Sequence, residues 1–114
     1  DLYSEVIKPV CDEFDIKTVR ADEYYSSTPI ISDIINSIRE SALIIADITP
    51  DNPNVFYEIG YAHAIEKPVI LLSDKKREKL PFDISSFRTI FYENSISGKK
   101  KVEDSLRKYL KAMS

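Results

Sequence analysis

Two short, uninterrupted apolar runs place the strongest constraint on the fold of this chain. Residues 42–46 read ALIIA and residues 68–72 read PVILL. Apolar residues without polar alternation are typical of strands that are buried on both faces of a parallel sheet. Helices must then cover the sheet on both sides. The two runs therefore predict an α/β fold.

Helical spacing predicts the first two helices. Residues 2–14 carry apolar side chains at helical spacing, and Pro9 should kink this helix or restart it. Thr28 and Pro29 can begin a second helix, which has the clearest amphipathic pattern of the chain. The apolar stripe of this helix comprises Ile30, Ile31, Ile34, Ile35 and Ile38.

Capping residues and periodicity predict two more helices. The third is expected to begin at Pro53, with Asn52 as its cap. It should run to about Glu66, because the sequence Lys67-Pro68 stops it. The apolar side of the last helix is formed by Val102, Leu106, Tyr109 and Met113.

The order of the elements favours a flavodoxin-like fold. Residues 16–20 and 88–92 are the remaining predicted strands, and residues 73–87 form a charged loop with a short turn of helix at 83–86. Strands that alternate with helices indicate right-handed βαβ units on a parallel sheet with helices on both faces. In the flavodoxin-like order, the central first strand precedes the first helix. Because this chain begins in a helix at Asp1, that strand is absent from it, and we expect either a gap in the sheet or a lost segment before Asp1. Residues 1–114 are expected to be a single domain from a longer protein.

Composition and charge argue against several kinds of partner. The net charge is −3, and the basic residues are scattered apart from Lys99-Lys100-Lys101, which we interpret as the solvated start of a helix. Duplex nucleic acid usually requires a basic face, so it is not expected as a partner. The single cysteine, Cys11, fits a reducing cytoplasm and a packing role. No apolar run approaches the ~20 residues of a membrane span. No metal-ligand cluster or Walker loop is visible, so no cofactor is expected.

A polar turn follows the first apolar run, where open α/β sheets bind ligands. Asp47 stands at the end of that strand, where its carboxylate could hold sugar hydroxyls or cap the turn, and both roles stay open. Asn52 and Asn54 are cap and turn residues first, although the first helical N–H groups can also bind an anion such as phosphate. Arg20 ends the strand predicted at residues 16–20, and Asp22 follows it at the same edge of the sheet. They could reach a ligand or form a surface ion pair.

Glu58 is a carboxylate inside an otherwise apolar helix turn. No other charge occurs between Val55 and Ala62, and burying an unpaired charge is costly. Glu58 also lies within two turns of the positive end of its helix, which favours the ionised form. We interpret Glu58 as functional, the alternative being a solvated helix face. Gly60 is expected to permit close packing of helix on sheet, and His63 to serve packing.

The most distinctive motif is NPNVFYE at residues 52–58. It follows IIADIT at residues 44–49 and precedes IGYAHA and KPVI at residues 59–64 and 67–70. Together with IKP at 7–9, VRAD at 19–22 and PFD at 81–83, it resembles the nucleoside 2-deoxyribosyltransferase-like and TIR-like nucleotide-binding superfamily. The resemblance covers residues 7–92. It implies a flavodoxin-like fold and chemistry at the N-glycosidic bond of a nucleoside or nucleotide.

The resemblance also implies roles for single residues. Glu58 matches the helix glutamate that attacks the anomeric carbon in deoxyribosyltransferases and supports nicotinamide cleavage in TIR NADases, which makes NAD a candidate substrate. Asp47 and Asn52 would hold sugar hydroxyls, and Asp22 would serve the base. Asn54 stands where many TIR enzymes carry Trp, and this chain contains no Trp. Members of this superfamily commonly form homo-oligomers and are fused to other domains.

Three functions are compatible with these residues. The leading one is an enzyme that cleaves an N-glycosidic bond through Glu58, by hydrolysis of NAD or by nucleoside and deoxyribosyl transfer. The second is a non-catalytic module of a signalling or defence protein that senses a nucleotide or self-associates. The third is a flavodoxin-like response domain with an accidental acidic turn, which requires a solvated Glu58.

Overall fold

A computed structural model describes residues 2–18 and 31–113 of the 114-residue chain. The strands of this part form one parallel sheet in the order β1-β2-β3, with β1 at Ile44–Asp47, β2 at Val69–Asp74 and β3 at Arg88–Tyr92. Asp74 pairs with Tyr92 at the end of the sheet, and Asp47 pairs with Leu72. The three carboxyl ends therefore lie along one edge, and the predicted flavodoxin-like parallel arrangement is confirmed.

Four α-helices accompany the sheet within the described residues. A π-helical turn, Tyr3–Ile7, continues into α1, Lys8–Glu13. Pro9 stands in the first turn of α1, where its missing N–H is tolerated, so the predicted restart at this residue is confirmed. The later helices are α2 at Ile31–Glu40, α3 at Pro53–Ala64 and α4 at Ile96–Met113.

Apolar side chains from both faces of β2 form two clusters. On one face Ile70 and Leu72 pack with α1 and α4, through residues such as Val10, Val102 and Leu106. On the other face Val69 and Leu71 pack with α2 and α3, through Ile38, Ile59 and Ala62. Burial of a side chain of this size contributes about 1.5–3 kcal/mol. The strand predicted at residues 68–72 is therefore the centre of the core, and it extends two residues further, to Asp74.

β1 is less buried than its apolar sequence predicts. Ile44, Ile45 and Ala46 are only partly buried, and Asp47 is exposed. Within the described part of the chain, β1 pairs with β2 on one side and with no strand on the other. The strand also begins two residues later than the predicted 42–46 and includes Asp47. β1 is thus covered on both faces, because Ile45 packs against one cluster and Ile44 and Ala46 against the other, but its burial is less complete than predicted. β3 matches its predicted bounds.

The segment before α2 is described only in part. Residues 16–18 form no strand, so the first half of the strand predicted at 16–20 is wrong. Arg20, Asp22, the Thr28 cap and Pro29 lie outside the described residues. The missing first strand stays a prediction.

Local backbone chemistry sets both ends of α3. The side-chain oxygen of Asn52 accepts a hydrogen bond from the Asn54 N–H at 3.0 Å, which satisfies an otherwise unpaired donor of the first turn. At the other end Glu66 takes a left-handed conformation with φ 61°, a common helix terminator. The helix consequently ends at Ala64, slightly before the predicted end at Glu66.

Gly60 does not bring α3 close to the sheet. Its position is exposed, and a Cβ added there would meet no described atom within 4 Å. The buried residues of α3 are Ile59 and Ala62, which point to the sheet instead. The prediction of a packing role for Gly60 is therefore wrong, because the residue faces away from the contact.

The loop between β2 and β3, residues 75–87, is anchored by aromatic side chains. The Phe82 ring packs edge-on against Phe56 of α3 at 5.8 Å, and against Phe87 at 5.9 Å. The Phe87 ring lies 4.6 Å from His63. A turn closes at Asp83, whose carboxylate accepts the Ser85 N–H at 2.9 Å. Residues 83–86 contain a turn but no helix, so the predicted turn of helix is wrong. His63 is exposed and contacts the Phe87 ring, which agrees with the packing role predicted for it.

Candidate functional site

The carboxylate of Asp47 is fixed at both oxygens. Oδ1 accepts a hydrogen bond from the Thr49 N–H at 2.9 Å, and Oδ2 accepts one from the Tyr92 hydroxyl at 2.9 Å. Asp47 is nevertheless exposed, so it remains open to a ligand. The turn-capping role of Asp47 is confirmed. Its role in holding sugar hydroxyls stays a prediction.

Thr49 connects the ends of all three strands. Its hydroxyl oxygen accepts the Asp74 N–H at 2.8 Å and lies 3.3 Å from the Tyr92 hydroxyl. Because Asp47 ends β1, Asp74 ends β2 and Tyr92 ends β3, these bonds tie the carboxyl edge together. The turn after β1 therefore has a defined position relative to the sheet.

Arg77 braces the same turn from the loop after β2. Its two terminal nitrogens donate to the Thr49 carbonyl and to the Asp51 carboxylate. The side chain is only 13% exposed, and its Nε is buried with no hydrogen-bond partner among the described residues. The planar, forked guanidinium can hold two acceptors at once, which an ammonium cannot do with the same geometry.

Glu58 borders the buried stripe of α3. Successive helix residues are about 100° apart, which places Val55 and Ala62 on one side of Glu58 and Tyr61 on the other. Ala62 is fully buried and Val55 is partly buried. The Tyr61 hydroxyl accepts a hydrogen bond from Arg39 Nε of α2 at 2.8 Å. This side of α3 is therefore crowded, and Glu58 is half-buried rather than solvated.

Burial raises the pKa of the Glu58 carboxyl above its ordinary value of 4.5. Within the described residues, no hydrogen bond or ion pair to Glu58 opposes this effect. A carboxyl group whose pKa is raised by burial is a candidate for a functional role. The half-buried position also argues against the response-domain hypothesis, which requires a solvated Glu58.

The other predicted site residues lie in two places. Asn52 and Asn54 are exposed at the start of α3, where Asn52 already serves as the cap. Arg20 and Asp22 lie outside the described residues, so their predicted place at the site stays a prediction. Asp47 ends β1, and Asn52 and Asn54 stand at the start of α3 a few residues later. Their shared role in binding a ligand stays a prediction.

Three residues of this edge were missed by sequence reasoning: Thr49, Arg77 and Tyr92. One signal could have found Tyr92. It ends a strand whose bounds are predictable, and the carboxyl ends of parallel strands meet at the same edge as Asp47. No comparable signal marks Arg77, because it is one of several basic residues in a charged loop.

Further features of the described residues lie apart from this carboxyl edge. A groove of about 810 Å³ lies at the opposite, amino edge of the sheet and includes neither Asp47 nor Glu58. Cys11 is buried, and burial raises its thiol pKa, which disfavours the reactive thiolate. No group of acidic, histidine or cysteine side chains suited to a metal ion occurs within residues 2–18 and 31–113. In the same ranges, no helix is long and apolar enough to cross a membrane.

Comparison with known proteins gives a family and a fold. The sequence profile described as nucleoside 2-deoxyribosyltransferase matches residues 2–109. Among solved structures, the chain is similar to the CMP N-glycosidase BcmB of Clostridium botulinum, with a TM-score of 0.68 and 22% sequence identity. The alignment covers 90% of this chain and 84% of that one, and at this identity the likeness shows the fold alone. No curated protein matches the chain.

Proposed function

The chain belongs to the nucleoside 2-deoxyribosyltransferase family, and from this membership we propose that it cleaves the N-glycosidic bond of a nucleoside or nucleotide through Glu58. The observation that carries the proposal is the half-buried Glu58 carboxylate, whose pKa is raised by burial. Its position on α3 leaves the carboxylate without a structural role in the described part of the chain. Catalysis supplies a reason to keep a costly charge there.

The proposed reaction is a displacement at the anomeric carbon of the sugar. A carboxylate oxygen of Glu58 attacks C1′, and the electron pair of the C1′–N bond leaves with the base. Retaining glycosidases use a carboxylate in this way, through an oxocarbenium-like transition state and a covalent ester. Water then breaks the ester in hydrolysis, and a second base breaks it in transfer. A cationic nicotinamide leaves NAD without protonation, whereas cytosine or a purine needs a proton from an acid or from solvent.

The polar turn after β1 supplies the proposed sugar contacts. Each Asp47 oxygen accepts one hydrogen bond from the protein, and a carboxylate has about four lone-pair positions. One further position on each oxygen is therefore available to a sugar hydroxyl. Asn52 and Asn54 at the start of α3 would add polar contacts. Arg20 and Asp22 remain proposed contacts to the ligand.

A base-release assay on the full-length protein tests this function. The panel contains CMP, NAD, and ribo- and deoxyribonucleosides, each with and without a free acceptor base. CMP is included because the similar structure is a CMP N-glycosidase. We expect release from at least one compound, and release that depends on a second base would identify transfer.

Glu58→Gln is the decisive variant. Loss of a nucleophile lowers turnover by on the order of a thousandfold or more. Glu78→Gln makes the same chemical change at an exposed position and should leave release intact. Full activity of Glu58→Gln would refute the nucleophile assignment. Tight nucleotide binding without base release would instead support the non-catalytic sensing module.

Three properties of the chain stay predictions: homo-oligomerisation, a cytoplasmic location and fusion to other domains. Size-exclusion chromatography with light scattering on the full-length protein tests the first of these.

A further inference from the structure

We propose that Tyr92 is a positioning residue that orients Asp47 towards the sugar of the substrate. This role rests on the proposed function, because it assumes that Asp47 holds sugar hydroxyls. Tyr92 lies at the end of β3 and Asp47 at the end of β1, with β2 between them. The phenol therefore reaches across the neighbouring strand to a carboxylate that it does not contact through the backbone.

The direction of the hydrogen bonds at this edge can be worked out. The Tyr92 hydroxyl has one proton, and it donates this proton to Asp47 Oδ2 at 2.9 Å. The Thr49 hydroxyl, 3.3 Å from the Tyr92 oxygen, must then be the donor in that contact. The Thr49 oxygen in turn accepts the Asp74 N–H at 2.8 Å. The bonds run in one direction, from the β2 backbone through Thr49 and Tyr92 to Asp47.

This directed chain selects one orientation of the Asp47 carboxylate. The Thr49 N–H donates to Oδ1 and the Tyr92 hydroxyl donates to Oδ2. Rotation of the carboxylate away from this orientation would therefore break both hydrogen bonds. The remaining lone pairs then have fixed directions before a substrate arrives. Such preorganisation improves catalysis because less ordering is required on binding.

Tyr92 is suited to this role by its burial. It is 8% exposed, and its ring belongs to the cluster between the sheet, α1 and α4. Burial raises the pKa of Tyr92 to about 12, so the hydroxyl remains a proton donor at neutral pH. Replacement by Phe retains the ring that packs in the core and removes only the hydroxyl.

A double-mutant cycle tests the positioning role. The proteins are the wild type, Asp47→Asn, Tyr92→Phe and the double variant, with Tyr109→Phe as the control. Tyr109 is a partly buried tyrosine of the same cluster, on α4. Each protein is assayed with its best substrate and with analogues that lack the 2′- or 3′-hydroxyl.

We expect Tyr92→Phe to lower kcat/KM by about tenfold, the scale of one hydrogen bond to a charged group. The Asp47→Asn variant identifies the sugar hydroxyl that Asp47 binds, because removal of that hydroxyl no longer affects its activity. The loss of kcat/KM in Tyr92→Phe should occur only with substrates that carry this same hydroxyl. The double variant should be no worse than Asp47→Asn, because the two residues act as one unit. Simple addition of the two losses, or an equal loss on every analogue, would overturn the proposal.

Amide hydrogen exchange separates this proposal from the proposed function. In the free protein, Tyr92→Phe should accelerate exchange of the Thr49 N–H by about tenfold, because the carboxylate that accepts this N–H is no longer held. Tyr109→Phe should not change it. Base release by the wild type with unaltered hydroxyl selectivity in Tyr92→Phe would refute the positioning role alone. If the wild type releases no base, the proposed function fails, and unchanged Thr49 exchange would then also overturn the orientation of Asp47 by Tyr92.

Discussion

The two glycines of this chain should respond to alanine in opposite directions. Gly60 lies inside α3 and Gly98 inside α4. Neither has a positive φ, so the backbone at both positions is compatible with alanine. The difference between Gly60→Ala and Gly98→Ala therefore depends on what the added Cβ would contact.

The structure gives the size of each effect. At Gly60 the Cβ meets no described atom within 4 Å, so alanine should stabilise the helix by roughly 0.5–1 kcal/mol through its higher helix propensity. At Gly98 the Cβ would lie 1.9 Å from the Glu93 carbonyl oxygen and 2.8 Å from its carbonyl carbon. Overpacking of this kind costs about 1–3 kcal/mol. Movement at this site also threatens the cap in which Ser95 Oγ accepts the Gly98 N–H at 3.0 Å.

Urea unfolding of the wild type and both single variants measures these changes. We expect the midpoint of Gly60→Ala to rise and that of Gly98→Ala to fall, with a gap of about 1.5–4 kcal/mol between the variants and unchanged m-values. In thermal unfolding, each kcal/mol corresponds to about 4–8 °C for a domain of 60–100 residues and somewhat less for a larger one.

Two outcomes would refute this reasoning. Destabilisation by Gly60→Ala would mean that the outer side of α3 is occupied rather than open. Equal stability of Gly98→Ala and the wild type would mean that the Glu93 peptide moves away from the added methyl group without cost.

Two further predictions concern charge. Burial raises the folded-state pKa of Glu58 above 4.5, so stabilisation from this group is full below that pH and is lost as pH rises through the raised pKa. The unfolding free energy of the wild type minus that of Glu58→Gln should therefore fall as pH rises above about 4.5, and a flat difference in urea titrations would contradict this. Arg77→Lys should cost about 1–3 kcal/mol, because the ammonium cannot serve the Thr49 carbonyl and Asp51 together. Asp51→Asn should cost under about 1 kcal/mol, since its carboxylate is 77% exposed, and equal losses in urea unfolding would contradict the brace.

Much of the fold could be predicted from the sequence, because the patterns that indicate its helices and strands are local. The apolar run at residues 68–72 lies in the buried strand β2, and the Asn52 cap is observed where the sequence predicts it. The degree of burial of β1 could not be predicted from the sequence, because it depends on what pairs with the second edge of the strand. Residues 42–46 and 68–72 have equivalent composition, yet only β2 has strand neighbours on both sides within the described residues.

Gly60 shows a second limit of sequence reasoning. A glycine within a helix can mark close packing or an open surface, and the two have the same local sequence. Only the direction of the residue relative to Ile59 and Ala62 separates them. The side of the helix on which Gly60 lies therefore decides its role, and the residue type alone does not.

Site residues could be predicted where the residue type alone is unusual for its position. Site residues that are defined by contacts between distant segments could not. Glu58 is recognisable as a charge in an apolar turn. The hydrogen bond from Tyr92 to Asp47 spans 45 residues of sequence. The predicted parallel strands place both residues at one edge of the sheet, but neither local segment indicates that their side chains meet. This connection also changes the question about Asp47, for which turn capping and sugar binding were open alternatives. Each oxygen uses one lone pair within the protein, so the bonds that cap the turn also fix the directions of the lone pairs left for a ligand. The two roles are therefore compatible, and the first would prepare the second.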